Sequence, residues 1–175
     1  MRIAVVASAS GNGKTTLARE LARRLDAPWL ELDGLVHGPN WVEVADAELR
    51  ATIEPFLAQP SWVIDGIYIR KLGTLVLDAA DLIVWLDLPL HVWLPRLVRR
   101  TARRYFHREV LWNGNRETLR GALWGRDSLF GYALRMHWKR RRAWPELDGY
   151  PVVRLRSVGE VDAFVASIIT SRPAG

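Results

Sequence analysis

A glycine-rich segment near the amino terminus constrains this chain more than any other feature. Residues 8–16 read Ser-Ala-Ser-Gly-Asn-Gly-Lys-Thr-Thr and follow directly on the apolar run of residues 3–7. A short buried strand, a glycine-rich turn and a helix that begins with Lys-Thr-Thr form the context in which loops bind phosphate through their backbone N–H groups. The segment therefore predicts an α/β domain that binds a nucleoside triphosphate.

Each residue type in this loop has a chemical reason. Glycines let the backbone curl so that several N–H groups face one anion, Lys14 adds a point charge for the outer phosphates, and the Thr15 hydroxyl can reach Mg²⁺. The general pattern G-x-x-x-x-G-K-[ST] has glycine where this chain has Ser8, whose backbone is less free. A plain surface turn before a helix is the alternative interpretation. We predict that the nucleotide and its metal contact Ser10, Gly11, Asn12, Gly13, Lys14, Thr15 and Thr16.

The composition favours a single domain over residues 1–175. The chain is 49% hydrophobic, which is enough for one α/β core. Cysteine is absent, which excludes disulfides and cysteine-based metal sites. The sequence has neither an export signal nor an uncharged run long enough to cross a membrane. We therefore expect a cytoplasmic protein that does not bind membranes.

Positive charge is concentrated in one stretch of the chain. Residues 96–142 hold 14 of the 25 Lys and Arg but 3 of the 19 Asp and Glu, so this stretch carries the whole positive excess. Such clustering predicts an anionic partner, either phosphate groups or nucleic acid. Late in this stretch, residues 139–142 read Lys-Arg-Arg-Arg. Their charge suits the carboxyl end of a helix, and nucleic-acid contact is the alternative.

Short apolar runs alternate with amphipathic stretches, which is typical of a mostly parallel five-stranded sheet flanked by helices. We predict strands near residues 2–7, 28–32, 61–65, 82–87 and 151–155. We predict helices near residues 14–26, 43–58, 90–105, 115–124, 127–143 and 159–171. Trp29, Trp62 and Trp85 fall within the strands, so we assign them to the core.

The predicted helix 90–105 has two contrasting faces. Its arginines carry like charges at helical spacing with no acid between them, which suggests that an anion completes the face. A solvated charged face is the alternative. The charged face consists of Arg96, Arg99, Arg100, Arg103 and Arg104, and the buried face of Leu90, Leu94, Leu97, Val98 and Thr101.

Two acidic residues follow apolar strands at positions where a carboxylate can meet phosphates. Asp65 precedes Gly66, whose small size permits a close approach, and we predict that Asp65 holds Mg²⁺ through water. Asp87 also ends a strand. Because it stands shortly before Pro89, Asp87 is better explained as a helix cap.

Residues 34–60 are predicted to bind the acceptor. Asp33 precedes this region, and an acid there can orient or deprotonate an acceptor hydroxyl; a turn-capping Asp is the alternative. Trp41 could stack on a flat acceptor, and His37 lies nearby. The four histidines lack metal-binding spacing, and we interpret His91, His107 and His137 as surface or partly buried side chains.

Several strings along the chain together resemble the adenylate-kinase-like P-loop proteins. Within that class, the chain is similar to the bacterial group known as topology modulation proteins. The resemblance covers nearly the whole chain and implies a three-layer P-loop kinase fold with a helical, arginine-rich lid. It is carried by the phosphate loop, Glu31-Leu32-Asp33, Val63-Ile64-Asp65-Gly66-x-Tyr68, Trp85-Leu86-Asp87-x-Pro89 and Leu111-Trp112-Asn113-Gly114-Asn115-Arg116-Glu117.

The resemblance also implies roles for individual arginines. The Asp-Gly-Phe-Pro-Arg turn of nucleotide kinases is similar to residues 65–70, with one extra residue here, so Arg70 would hold the acceptor's phosphate. Such kinases carry two arginines four residues apart on the helix after the fourth strand. By that likeness, Arg96 stacks on the base and Arg100 reaches the phosphates. Residues 103–128 would form the lid, whose arginines neutralise the transferring phosphoryl group; these are Arg116, Arg120 and Arg126.

These observations predict an ATP- and Mg²⁺-dependent phosphotransferase that moves the γ-phosphoryl group to a nucleotide or another small acceptor. The predicted catalytic residues are Lys14, Asp33, Arg100, Arg116 and Arg126. The alternative is a nucleotide-gated regulatory ATPase that binds nucleic acid through the basic stretch, although no base-reading module is present. A slow ATPase whose partner is another protein is a third interpretation.

Overall fold

The computed structural model describes residues 1–107, 109–115, 128–143, 147 and 149–170. Its centre is a five-stranded sheet in the order β2-β3-β1-β4-β5, in which all pairs are parallel. The predicted α/β fold with a parallel five-stranded sheet is confirmed. The strands are β1 (Arg2–Ala7), β2 (Trp29–Glu31), β3 (Trp62–Asp65), β4 (Leu82–Leu86) and β5 (Val152–Leu155).

Helices connect the strands, and three short ones were not predicted from the sequence. The short helices have four or five residues each, too few to show a helical period. Two single 3₁₀ turns lie at Pro39–Trp41 and Trp112–Gly114. The predicted helix 115–124 falls almost wholly outside the described residues, as do Arg108 and residues 116–127 of the predicted lid. The helices are α1 (Lys14–Leu25), α2 (Leu32–Val36), α3 (Asp46–Leu57), α4 (Ile69–Leu72), α5 (Leu75–Ala79), α6 (Leu90–Phe106), α7 (Leu129–Ala143) and α8 (Val158–Thr170).

Hydrophobic cores lie on both faces of the sheet. On β1, Ile3 and Val5 pack with α1 and α8, whereas Ala4 and Val6 pack with α2, α3 and α5. This alternation buries both faces of the strand, as a parallel sheet requires. Trp62 and Trp85 lie in the core as predicted, whereas Trp29 is only partly buried and has the Arg19 guanidinium 4.5 Å above its ring. Within the described ranges, no helix is long and apolar enough to cross a membrane.

The faces of α6 differ from the prediction. Trp93, Leu97 and Thr101 form its buried stripe, while Leu90 and Val98 are 36% and 49% exposed. The arginine face also has an acidic partner from within the chain, because the chain turns back after the helix. Glu109 then lies 3.1 Å from Arg103 Nε and 3.6 Å from Arg104 Nε, so the last turn is partly neutralised.

Asp87 does not cap α6, contrary to the prediction. The helix is capped at Pro89 without a side-chain hydrogen bond. The Asp87 carboxylate is buried and binds two arginines instead: Arg141 Nε lies 3.0 Å from Oδ1, and Arg154 Nε donates to Oδ2 at 3.0 Å. Asp87 therefore ties the end of β4 to α7 and β5.

We expect Asp87→Ala to lower the free energy of unfolding by about 2–3 kcal/mol, because it leaves two partly buried guanidinium groups without their common acceptor. Urea unfolding followed by circular dichroism measures this. Asp81→Ala is the matched control, since Asp81 pairs with Arg2 where both side chains are about two-fifths exposed. Its effect should stay below about 1 kcal/mol. Equal losses in the two variants would contradict the assigned role of Asp87.

Candidate active site

The phosphate loop has a backbone conformation that depends on two glycines. Gly11 and Gly13 have φ of +87° and +91°, in the left-handed region that other residues avoid. A Cβ at Gly11 would also lie 2.7 Å from the Trp93 carbonyl oxygen. The buried Asn12 side chain fixes the loop further, donating to Ala9 O at 2.8 Å and accepting from Leu88 N at 2.9 Å. The loop is therefore shaped before any ligand binds.

Ser8 occupies the position where the general pattern has glycine, and it does not have a positive φ. Its backbone N–H donates to Leu86 O at 3.0 Å, continuing the pairing of β1 with β4. Because Ser8 adopts an ordinary backbone conformation, the departure from the pattern costs no strain.

Lys14, Thr15 and Asp65 meet at the carboxyl end of the sheet. Lys14 Nζ lies 2.6 Å from Asp65 Oδ1, and Thr15 Oγ1 donates to Asp65 Oδ2 at 2.6 Å. The Asp65 side chain is fully buried, and Gly66 leaves room for the Lys14 ammonium beside it. The structure thus brings together the three residues for which the sequence predicted contact with the outer phosphates and with the metal.

This donor set suits Mg²⁺. The ion prefers oxygen ligands and is held in phosphate-transfer sites by one or two protein oxygens, with waters and substrate phosphates completing its shell. The Thr15 hydroxyl and the Asp65 carboxylate supply such oxygens. Among the described residues, no group of three or more acids and histidines forms a metal cage, and this mode of binding does not require one.

Asp33 lies beside the phosphate loop, in the first turn of α2. Its Oδ1 accepts a hydrogen bond from the Tyr68 hydroxyl at 2.5 Å, and its Oδ2 lies 3.8 Å from Lys14 Nζ. Burial and the Asp33 charge raise the pKa of Tyr68, so the phenol stays protonated and donates. The carboxylate is oriented by this bond rather than by capping a turn, and its second oxygen remains close to the ammonium.

The segment of residues 34–41, which begins within α2, is braced by the turn of residues 112–115. Asn113 Nδ2 donates to His37 O at 2.7 Å. Asn115, which is buried, donates to Gly38 O at 2.9 Å and accepts from Trp41 N at 3.0 Å. The string Leu-Trp-Asn-Gly-Asn that carried the family resemblance therefore holds the predicted acceptor region in shape.

Trp112 links this brace to the nucleotide side of the site. Its indole N–H donates to Glu31 Oε2 at 3.3 Å, and Glu31 Oε1 lies 3.4 Å from Thr15 Oγ1. Glu31 pairs with Asp65 in the register of β2 and β3, so the two carboxylates lie at the same level of the sheet. Burial is the main cause that raises the pKa of Glu31. Glu31 belongs to one of the strings that carry the family resemblance, and no role for it was predicted from the sequence.

We expect Gly34→Ala to lower the free energy of unfolding by about 1–2 kcal/mol. The added Cβ would lie 2.8 Å from Trp112 Cδ1, and the displacement of the indole outweighs the higher helix propensity of alanine. Thermal unfolding measures the loss. Gly159→Ala is the control, because no atom lies within 4 Å of its Cβ position. A Gly34→Ala protein as stable as Gly159→Ala would contradict the packing described.

The remaining predicted site residues are exposed or half-buried, or lie outside the described part of the chain. The Arg70 side chain is 89% exposed, with Nη2 3.8 Å from Glu43 Oε2. Trp41 is 42% exposed, and its ring meets His37 edge-on at 5.6 Å. Arg96 is exposed on α6 and Arg100 is half-buried. Arg116, Arg120 and Arg126 lie outside the described residues.

Helix α7 contributes two residues that sequence reasoning missed. His137 is 1% exposed, and its Nδ1 lies 3.3 Å from Ser8 Oγ; the interpretation of His137 as a surface or partly buried side chain is wrong. Arg140 Nη1 donates to Ala7 O at 2.8 Å. With Arg141 bound to Asp87, two of the three arginines in the cluster 140–142 make specific internal contacts. Residues 133, 137, 140 and 141 recur at helical spacing on one face of α7, and this spacing was the sequence signal for a buried face.

The buried imidazole gives a pH prediction. Burial and Arg141 lower the pKa of His137, while Asp87 opposes them. As pH falls, His137 is therefore protonated in the unfolded chain before it is protonated in the folded one. The free energy of unfolding then decreases as pH drops below about 6.5. We expect His137→Phe to remove this part of the pH dependence in urea unfolding, whereas the exposed control His91→Gln keeps it. An unchanged pH dependence in His137→Phe would contradict the prediction.

Comparison with known proteins shows the fold. No family model and no curated protein matches the sequence. The chain is similar to a shikimate kinase from Acinetobacter baumannii in complex with shikimate, at TM-score 0.58 and 17% identity, over 99% of this chain and 95% of that one. It is also similar to a gluconokinase from Sinorhizobium meliloti 1021, at TM-score 0.55 and 18% identity, over 97% and 89% of the two chains.

A third similar structure is a deoxyadenosine kinase from M. mycoides with bound dATP, at TM-score 0.57 and 11% identity, over 98% of this chain and all of that one. These structural neighbours are P-loop kinases, and the chain has the P-loop kinase fold. At such identities the likeness describes the fold and leaves the activity to be argued from the site. The narrower resemblance to topology modulation proteins stays a prediction.

Proposed function

We propose that this protein is an ATP- and Mg²⁺-dependent phosphotransferase that moves the γ-phosphoryl group of ATP to a hydroxyl of a small acceptor. One observation carries the proposal: the Lys14 ammonium lies within 2.6 Å of Asp65 and 3.8 Å of Asp33. A residue suited to the outer phosphates, a carboxylate suited to the metal and a carboxylate suited to an acceptor hydroxyl therefore share one centre.

The nucleotide side of the site positions the phosphates and neutralises their charge. The loop amides and the amino terminus of α1 bind the phosphates, and Lys14 neutralises the oxygens of the transferring group. Thr15 and Asp65 would hold Mg²⁺, which neutralises charge on the β- and γ-phosphates when bound. Arg100 and the lid arginines Arg116 and Arg126 are proposed to add positive charge in the transition state. Arg96 is proposed to stack on the base.

The acceptor side supplies a proton acceptor. Tyr68 holds the Asp33 carboxylate with one of its oxygens near Lys14. Asp33 can therefore take the proton of an acceptor hydroxyl while the acceptor's oxygen bonds to the γ-phosphorus. The bond from phosphorus to the β–γ bridging oxygen breaks, and ADP leaves. Trp41 and His37 would form the wall of the acceptor pocket.

A hydroxyl acceptor is better supported than a phosphate acceptor. Asp33 lies on this side of the described site, and its negative charge disfavours a phosphate there. Arg70, the residue that the resemblance assigns to an acceptor phosphate, is exposed and faces Glu43 instead. A nucleoside or a small hydroxylated metabolite fits these charges, and a nucleoside monophosphate is the competing acceptor.

The experiment is a phosphotransfer screen with γ-labelled ATP and Mg²⁺ against nucleosides, nucleoside monophosphates and small hydroxylated metabolites, with Lys14→Ala protein as the blank. We expect a labelled phosphate ester from an alcohol that carries no phosphate. Labelled nucleoside diphosphate would select the phosphate acceptor. Release of inorganic phosphate alone, at a rate that no acceptor changes, would contradict a phosphotransferase and favour an ATPase.

The nucleic-acid alternative has less support from the contacts. Arg140 and Arg141 bond within the protein, and Arg103 and Arg104 pair with Glu109. These four residues belong to the clusters that suggested a phosphate-backbone surface. Contacts within the protein already partly neutralise these side chains, so they would contribute little to the counterion release that drives binding to nucleic acid.

A further inference from the structure

We propose that His137 and Arg140 of α7 are positioning residues for nucleotide binding, which hold the junction between β1 and the phosphate loop from behind. At this junction, the Ser8 hydroxyl is the hydrogen-bond partner of His137. The inference rests on the proposed function only in that the loop binds a nucleotide, and it holds for any activity that uses one. It assigns a role to the serine that departs from the general loop pattern.

Three successive residues at the junction meet α7. Arg140 Nη1 donates to the Ala7 carbonyl at 2.8 Å, and His137 Nδ1 lies 3.3 Å from Ser8 Oγ. Ala9 packs with Ala133, one turn earlier on the helix, in a small buried cluster. The strand therefore enters the phosphate loop along the inner face of α7.

The surroundings keep His137 in one orientation. Its ring contacts those of Trp93 and Trp138, with centroids 5.4 Å and 5.3 Å away. Trp93 belongs to the same buried cluster as Ala9, and its carbonyl is the atom that would meet a side chain at Gly11. Helices α6 and α7 thus form one wall against which the loop takes its shape.

The chemistry at this contact requires a hydroxyl. Ser8 is fully buried, and a neutral imidazole can accept its O–H at Nδ1. Glycine at position 8 would satisfy the general pattern but would leave His137 without this partner in a buried place, where an unmade hydrogen bond is costly. The junction would then lose one of its two polar contacts to α7. This chain should therefore bind nucleotide better with Ser8 than with the more usual glycine.

The test is the affinity for MgADP, measured by titration calorimetry on Ser8→Gly, Ser8→Ala, His137→Phe and the double variant Ser8→Ala/His137→Phe. His137→Phe keeps a ring in contact with the two tryptophans and removes the acceptor nitrogen. We expect each single variant to bind about 3–10-fold more weakly, and the double variant to be no weaker than either single, since all lose the same contact. Lys139→Gln, on an exposed part of α7, is the control and should bind like the wild type.

Thermal unfolding separates positioning from stability. Lowered unfolding temperatures with unchanged MgADP affinity would overturn the proposal, and so would a Ser8→Gly protein that binds as well as the wild type. Additive losses in the double variant would also overturn it. If one of the four variants fails to fold, the remaining three decide. Wild-type protein that binds MgADP but transfers no phosphoryl group would refute the proposed function alone, whereas no binding at all would refute both.

Discussion

Lys14→Ala is expected to lower kcat/KM for phosphoryl transfer by about 1,000-fold. The ammonium would neutralise charge that develops on the transferring group, and removing one such preorganised donor from a water-excluded site costs two to three orders of magnitude. Steady-state kinetics with the acceptor found in the screen measures this loss.

The same substitution also tests the stability of the protein without nucleotide. Among the described residues, Lys14 supplies the positive charge beside the fully buried Asp65 carboxylate. Its removal leaves that charge uncompensated and should lower the free energy of unfolding by about 3 kcal/mol in urea titrations without nucleotide. Adding Asp65→Asn should restore most of the stability but not the activity. Lys139→Gln should retain both. A Lys14→Ala protein with near wild-type activity would contradict the proposed role.

Asp33→Asn is expected to lower kcat by about 100–10,000-fold while MgADP affinity stays within about threefold of the wild type. The amide keeps the size of the side chain and a hydrogen bond to Tyr68, but it cannot accept a proton from the acceptor hydroxyl. Single-turnover kinetics separates the transfer step from nucleotide binding, which calorimetry measures independently.

Tyr68→Phe provides the graded comparison. It removes the donor to Asp33 Oδ1 and leaves the carboxylate, so we expect a loss of about tenfold or less in kcat. Asp78→Asn is the matched acid control on α5, where the carboxylate bonds Thr74 and Tyr150. If Asp33→Asn transferred phosphate as fast as Asp78→Asn, Asp33 would not be the proton acceptor.

The nucleotide half of the site could be predicted because it is local. Lys14 and Thr15 directly follow the glycines that shape their backbone, and Asp65 ends a strand that its apolar run predicts. The five strands and the long helices were also found from periodicity, to within a few residues. Element type is determined by short-range patterns of this kind, so a single sequence carries it.

The acceptor half and the role of α7 could not be predicted because they depend on contacts distant in sequence. Asn113 and Asn115 bond carbonyls more than 70 residues away, and His137 meets Ser8 across 129 positions. Helical spacing could have placed His137 on an inner face, but a single sequence does not identify Ser8 as its partner. Asp87 was misassigned for the same reason, since its partners Arg141 and Arg154 lie on other elements.

Binding of ATP is the claim on which the whole account depends. Titration calorimetry of the folded wild-type protein with a non-hydrolysable ATP analogue and Mg²⁺ tests it most directly. We predict saturable binding of one nucleotide per chain that is lost in Lys14→Ala. No measurable binding by protein whose circular dichroism shows the native fold would contradict the account.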